Sequence, residues 1–224
     1  MNRKRQTIHD SRFTIYDSHM KDLRFSKFIL FINALVPFAL LLWDAWHHRL
    51  GVNPIEFATR TTGMLTLVFV MLTLAISPLR KLTGANWLIK FRRMLGLYSF
   101  FYATLHLLTY VWFDRFFNIK SIAGDIIQRP FIAIGMACFA LLIPLAVTST
   151  NKMIKRLGGK RWARLHRLIY PIAIGGVIHY YMIVKSDTRI PLGFAFVCAV
   201  LLGYRIYVSN QTSNAQEKSP TLLQ

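Results

Sequence analysis

The chain has 224 residues, of which 54% are hydrophobic, and a formal net charge of +19. This charge could indicate a nucleic-acid-binding protein, but the lysines and arginines cluster between long apolar runs instead of lining one amphipathic face. The composition therefore predicts a polytopic membrane protein with no nucleic-acid partner. Cys138 and Cys198 lie in different apolar runs and outside any CxxC pattern, which indicates small core residues.

Residues 1–24 are polar and basic, and they are predicted to form a partly disordered cytoplasmic arm that is retained, because no cleavage site follows. A transmembrane domain fills residues 25–208, and residues 209–224 form a predicted cytoplasmic tail. Each apolar segment can cross roughly 30 Å of hydrocarbon as a helix. The predicted fold class is an all-α membrane protein, a six-helix transmembrane bundle with segments at 25–43, 62–79, 94–113, 130–148, 166–184 and 190–208.

The distribution of positive charge predicts the orientation of this bundle. With the N-terminus in the cytoplasm, the inside segments hold 21 lysines and arginines and the outside loops hold 7. Because basic loops stay on the cytoplasmic side, both termini are predicted to be cytoplasmic.

The sequence contains no GxGxxG pattern, no P-loop, and no soluble stretch long enough for a flavin or nicotinamide domain. The function is therefore expected to take place within the membrane or through separate partner proteins.

Two apolar segments each carry a histidine deep in the predicted membrane. His106 lies 13 residues beyond Arg93, and His179 lies 13 residues beyond His166. Thirteen helical residues span roughly 20 Å. His106 and His179 are therefore predicted at one level in the outer half of the membrane, with His166 and the Arg92–Arg93 pair near its cytoplasmic face.

An imidazole inside hydrocarbon is costly and is a functional hypothesis by default. Neutral imidazole is a good iron ligand, and two such ligands suit a haem that passes electrons without binding a substrate. We predict one b-type haem between His106 and His179, and an inner haem or flavin site at His166. Arginine cannot ligate iron but can pair with a haem propionate or a phosphate. The candidates for such pairing are Arg92, Arg93 and Arg164.

Two simpler interpretations stay open. A membrane histidine can merely bond a neighbouring helix, and the basic clusters can be topology signals only. On an ideal helix His179 would also be rotated about 140° from His166, so one partner could not meet both. Pro171 lies between them and could change the helical phase.

Three motifs carry a resemblance to a known family. The first is RRMLGL at 92–97 with FYA at 101–103 and His106. The second runs from RPFI at 129–132 to PLAVTSTN at 144–151, and the third is WARLHRLIY at 162–170, closing on His179. Over roughly residues 25–208 the chain resembles the MsrQ (YedZ) family, which belongs to the ferric-reductase-like membrane cytochromes.

This resemblance implies a bacterial inner-membrane protein with haem between the third and fifth helices, and with His106, His166 and His179 at haem-associated positions. It implies electron transfer from a cytoplasmic flavin reductase, or from quinol, to the periplasmic molybdopterin enzyme MsrP. MsrP would form a heterodimer with this chain and repair oxidised methionines. An FMN requirement is also implied; the 152–161 loop is the candidate phosphate contact.

No substrate-reducing site is expected in the chain itself, which would be an electron-transfer subunit. One alternative is a stand-alone ferric or quinone reductase of the same superfamily. The other is a haem-free transporter or assembly scaffold whose histidines only bond helices.

Overall fold

The structure is a computed structural model that describes the backbone of residues 3–184 and 186–217 and the side chains of 23–184 and 186–211. The regular elements in these residues are helices. The α-helices are α1 (Arg3–Trp46), α2 (Pro54–Thr83), α3 (Arg92–Leu108), α4 (Ile119–Gln128), α5 (Pro130–Val147), α6 (Asn151–Leu157), α7 (Gly159–Leu165), α8 (Ile169–Ile183) and α9 (Arg189–Glu217). Asn86–Lys90 and His166–Leu168 are 3-10 helices, and a π-helical turn at Thr109–Asp114 continues α3.

The chain divides into two compact units, one that ends at Val52 and contains α1, and one that begins at Asn53 and contains the other helices. The second unit holds both histidine-bearing segments.

Among the described residues, five helical spans are long and apolar enough to cross a membrane. This confirms the predicted all-α, multi-pass membrane protein. The spans are Leu23–Trp46, Pro54–Thr83, Arg92–Asp114, Pro130–Val147 and Arg189–Gln211. The remaining predicted segment, 166–184, is divided into the 3-10 helix and the 15-residue α8, and it is not one of the five. A sixth crossing therefore stays a prediction.

Two local expectations differ from the structure. Helix α1 begins at Arg3, so residues 3–24 continue a helix instead of forming a partly disordered arm; the stretch contains no glycine or proline to stop it. Helix α9 extends to Glu217, and the cytoplasmic location of the tail stays a prediction. The expected 152–161 loop lies within α6 and α7, which are joined at Gly158 with φ of +74°.

Helix α2 has strong end signals. The Asn53 side chain accepts a hydrogen bond from the Glu56 N–H and donates one to the Glu56 carboxylate, and Pro54 occupies the first helical position. Gly84 ends the helix with φ of +71°, a conformation that favours glycine.

Two helix pairs form the centre of the second unit. Helix α2 packs along α3, and α5 packs along α8. Between the pairs lies one buried apolar cluster to which α9 also contributes. Its buried members are Leu67, Val70, Met71, Leu74, Ala103, Leu142, Leu145, Ile169, Ile172, Ala173, Val177 and Cys198. The cluster holds the two pairs in fixed register, which positions the site described below.

A buried carboxylate ties α4 to the ends of α3 and α5. Asp125 is 8% exposed, and its Oδ2 accepts a hydrogen bond of 2.7 Å from the Tyr110 hydroxyl. The Arg115 Nε lies 2.6 Å from the same oxygen as an ion pair, although its N–H does not point at an acceptor. The Arg129 Nε lies 3.4 Å from Oδ1. One acidic side chain thus contacts two guanidinium groups at this end of the unit, and Arg115 has a second carboxylate, that of Asp114, at 3.4 Å.

The Asp125 network predicts a stability difference between two isosteric substitutions. We expect Asp125→Asn to lower the free energy of unfolding by about 2 kcal/mol, because the Tyr110 hydroxyl and the partly exposed Arg115 side chain lose a charged partner at a buried position. The exposed pair of Asp187 with Arg189 provides the control, and Asp187→Asn should cost less than about 0.5 kcal/mol. Thermal unfolding in detergent, followed by tryptophan fluorescence, measures both; equal shifts would contradict the prediction.

Candidate functional site

His106 of α3 and His179 of α8 meet at one cavity. Their ring centroids are 6.1 Å apart, and the ring planes are inclined at 84°. The cavity has a volume of about 300 Å³ and is lined by α2, α3, α5 and α8. The structure therefore brings together the two histidines that the sequence places at one depth.

Each histidine is bonded to the helix that packs against its own. The Nδ1 of His106 lies 2.9 Å from the Thr59 carbonyl oxygen on α2, and the Nδ1 of His179 lies 2.6 Å from the Phe131 carbonyl oxygen on α5. A carbonyl oxygen can only accept, so both Nδ1 atoms donate a proton. In the neutral imidazole this leaves Nε2 with its lone pair as the possible metal ligand.

The separation of the rings suits a metal atom between them. Two metal–nitrogen bonds of about 2 Å, with about 1.1 Å from each nitrogen to its ring centre, would place the centroids roughly 6 Å apart. Two imidazoles supply only two ligands. A metal held there would need its other ligands from a prosthetic group, and a cavity of about 300 Å³ with mainly apolar walls fits such a group.

The walls of the cavity are apolar, whereas one end carries polar side chains. The walls include Leu67, Val70, Ala103, Phe139 and Leu142. The polar end, next to α4, carries Arg60, Tyr110, Asp114 and Arg129. An apolar body with anionic ends would match this distribution.

Sequence reasoning did not select Arg60 or Arg129 as site residues, since both were counted as loop charges. Asp125 was missed as well. Its signal is local, an acidic residue four positions before Arg129 in an otherwise apolar stretch.

A second, smaller cavity of about 190 Å³ contains His166. The His166 ring stacks on Trp162 with centroids 3.8 Å apart, its Nδ1 lies 3.1 Å from the Trp162 carbonyl oxygen, and its Nε2 lies 3.4 Å from the Ser149 hydroxyl. Trp162 is fixed in turn, because its indole N–H donates to the Thr148 carbonyl oxygen at 3.0 Å. Arg92 and Arg93 line the same cavity.

His166 and His179 line different cavities, so no single partner has to meet both, in agreement with the rotation expected on an ideal helix. His166 opens a 3-10 helix, and α8 begins only at Ile169. Pro171 lies in the first turn of α8, where its missing N–H leaves no helical hydrogen bond unmade.

The predicted arginines separate into two groups. Arg92 and Arg93 face the second cavity, and the Arg93 guanidinium also donates to the Asn151 side chain. Arg164 is exposed on α7 and is not among the residues that line either of these two cavities.

The chain is similar to known proteins over most of its length. Residues 61–177 match the family described as the ferric reductase like transmembrane component. The chain is 54% identical over 183 residues to the protein-methionine-sulfoxide reductase heme-binding subunit MsrQ of Herminiimonas arsenicoxydans, a match that covers 81% of this chain and 84% of the relative. It is 50% identical over 189 residues to MsrQ of Ralstonia nicotianae, covering 84% and 87%, and 46% identical over 186 residues to MsrQ of Rhodospirillum rubrum, covering 82% and 88%.

The chain belongs to the MsrQ family of ferric-reductase-like transmembrane proteins. The resemblance carried by the three sequence motifs is thereby confirmed. The matched family region takes in His106, His166 and both cavity-lining arginines of the second site, and it ends two residues before His179. In this MsrQ-family chain the two cavities thus lie within or immediately beside the matched region.

Proposed function

We propose that the chain is an electron-transfer subunit that holds a b-type haem between His106 and His179. The observation that carries this proposal is the pair of imidazoles at 6.1 Å, each with Nδ1 donating to a backbone carbonyl of a neighbouring helix. The name of the relatives, heme-binding subunit, supports it.

The residues have separable roles in this proposal. His106 and His179 would hold the haem iron through Nε2, and the Thr59 and Phe131 carbonyl oxygens fix the Nδ1-protonated tautomer of each ring. The apolar walls exclude water and lower the local dielectric constant. Arg60 and Arg129 lie at the polar end, where each already pairs with a carboxylate four residues earlier, Glu56 at 2.6 Å and Asp125 at 3.4 Å; a propionate would share these guanidinium groups. When bound, a haem supplies a one-electron iron couple.

We further propose that the second cavity takes an anionic cofactor, either a second haem or FMN. His166 and Trp162 form a flat stacked pair there, and Arg92 and Arg93 supply positive charge without a carboxylate among the residues that line the cavity. With the N-terminus in the cytoplasm, this cavity lies near the cytoplasmic face of the membrane.

The proposed topology has six crossings with both termini in the cytoplasm of a bacterial inner membrane, α8 with its preceding 3-10 turn being the sixth. The excess of basic residues on one side supports this orientation. Electrons then pass outward from a cytoplasmic flavin reductase or from quinol to the periplasmic molybdopterin enzyme MsrP, which reduces methionine sulfoxide. The relatives' name, a subunit of a protein-methionine-sulfoxide reductase, supports a reductase partner.

A second candidate function is a stand-alone reductase of ferric chelates or quinone. The match to the ferric reductase like transmembrane component favours it.

The haem proposal predicts the optical spectrum of three purified proteins. The wild type should show a dithionite-reduced-minus-oxidised spectrum of a b-type haem, and His106→Ala and His179→Ala should each remove or greatly reduce it by deleting an axial ligand. His47→Ala, which removes an exposed imidazole bonded only to the Trp43 carbonyl oxygen, is the matched control and should retain the spectrum. A colourless wild-type protein, expressed with ample haem, would contradict the proposal.

The second cavity predicts a contrast among the arginines. Arg92→Gln and Arg93→Gln should weaken retention of the inner cofactor, measured as haem and FMN per chain after detergent purification, because each removes a charge from the cavity wall. Arg164→Gln removes an exposed charge outside the cavity and should leave retention unchanged. An equal loss in all three variants would indicate a general effect of net charge instead of an inner site.

The direction of electron flow predicts a partner requirement. In proteoliposomes with a flavin reductase, FMN and NADH inside, methionine sulfoxide outside should be reduced only when MsrP is present, because no substrate-reducing site is expected in the chain. Rapid reduction of ferric citrate or a water-soluble quinone without MsrP would support the second candidate function instead.

A further inference from the structure

Each of the two cavity histidines lies against a glycine of the neighbouring helix. A Cβ atom built on Gly63 of α2 would be 3.0 Å from both Cε1 and Nδ1 of His106. A Cβ atom on Gly135 of α5 would be 2.8 Å from Cε1 and 2.9 Å from Nδ1 of His179. Comfortable contacts between such atoms are about 3.5–4 Å, so neither ring has room for a methyl group at these positions.

The two glycines occupy the same place relative to the two hydrogen bonds. Gly63 follows the carbonyl partner of His106, Thr59, by four residues, and Gly135 follows the carbonyl partner of His179, Phe131, by four residues. In an α-helix the carbonyl of residue i accepts the N–H of residue i+4. Each carbonyl oxygen therefore lies beside its glycine and accepts from both the glycine N–H and the histidine Nδ1–H; the Thr59 oxygen also accepts from the Thr62 hydroxyl at 3.1 Å.

We propose that Gly63 and Gly135 are positioning residues for the histidines, and that the absence of their side chains lets each imidazole reach the helix backbone. The resulting hydrogen bond fixes the Nδ1-protonated tautomer and raises the basicity of Nε2. The same arrangement of glycine, carbonyl oxygen and histidine occurs in both helix pairs. The inference rests on the proposed role of the histidines as haem ligands and adds the residues that hold those ligands in place.

Substitution by alanine should push each ring away from its carbonyl. The displacement needed is larger at Gly135, where the shortest distance is 2.8 Å, than at Gly63, where it is 3.0 Å. The His179 hydrogen bond is also the shorter of the two, at 2.6 Å against 2.9 Å. We therefore expect Gly135→Ala to have the larger effect.

The test uses the full-length, haem-loaded protein with Gly63→Ala and Gly135→Ala. Both variants should release haem faster than the wild type, with an affinity loss of about 10–100-fold for weakened support of a metal ligand. Both should also shift the low-spin electron paramagnetic resonance signal and raise the reduction potential, because a less basic imidazole stabilises the ferric state less.

Two controls separate positioning from simple packing. Gly175→Ala would bring a Cβ atom to 2.5 Å from the sulfur of Cys138, which lines the same cavity, but to no imidazole atom within 4 Å, so it disturbs the cavity wall without touching either histidine ring. Gly193→Ala on α9 meets nothing within 4 Å. Gly175→Ala should lower thermal stability while keeping the resonance signal and the potential, and Gly193→Ala should change neither.

The outcomes distinguish this inference from the proposed function. A wild type that binds haem, together with folded Gly63→Ala and Gly135→Ala variants that keep its signal, potential and haem affinity, overturns the positioning role and leaves the haem site standing. A wild type without haem overturns both. If Gly135→Ala does not fold, the milder Gly63→Ala decides. Nitrogen-15 histidine spectra of the reduced wild type should also show two protected Nδ1 protons, and their absence would count against the inference.

Discussion

The arrangement of the second unit depends on a hydrogen bond made twice, from a histidine Nδ1 to a backbone carbonyl of the neighbouring helix. A helical carbonyl already accepts one hydrogen bond, yet its oxygen has a second lone pair that side chains can use. In an apolar interior this second bond satisfies an imidazole N–H that would otherwise be costly to bury. It also joins α3 to α2 and α8 to α5 at the level where the two rings meet.

The apolar cluster between the helix pairs complements these polar contacts. Hydrophobic burial has no preferred direction, so Leu67, Leu142 and their neighbours can hold the pairs together without specifying where a ring points. The hydrogen bonds are directional and set the orientation of each imidazole. Nonspecific packing and specific bonding therefore act on the same interface, the first determining the spacing of the helices and the second the geometry of the site.

Much of this could be predicted from the sequence, for reasons that particular residues make clear. The long apolar runs indicated membrane helices, and counting helical residues from the basic flanks placed His106 and His179 at one depth. The carbonyl partners Thr59 and Phe131 could not be predicted, because every residue has a carbonyl and only the relative rotation of two helices selects one. The sequence does not give the rotation of α7 either, so Arg164 was grouped with Arg92 as a candidate site residue. The 3-10 turn at His166 has no distinct sequence signature.

The two cavities have one lining residue in common, Leu142. Its side chain is 4% exposed and carries no group that can donate or accept a hydrogen bond. Electrons can tunnel across a few ångströms of hydrocarbon, whereas protons need a chain of polar groups or water to move along. With the proposed cofactors in place, an electron would cross this partition, whereas a proton would find no hydrogen-bonded path through the Leu142 side chain.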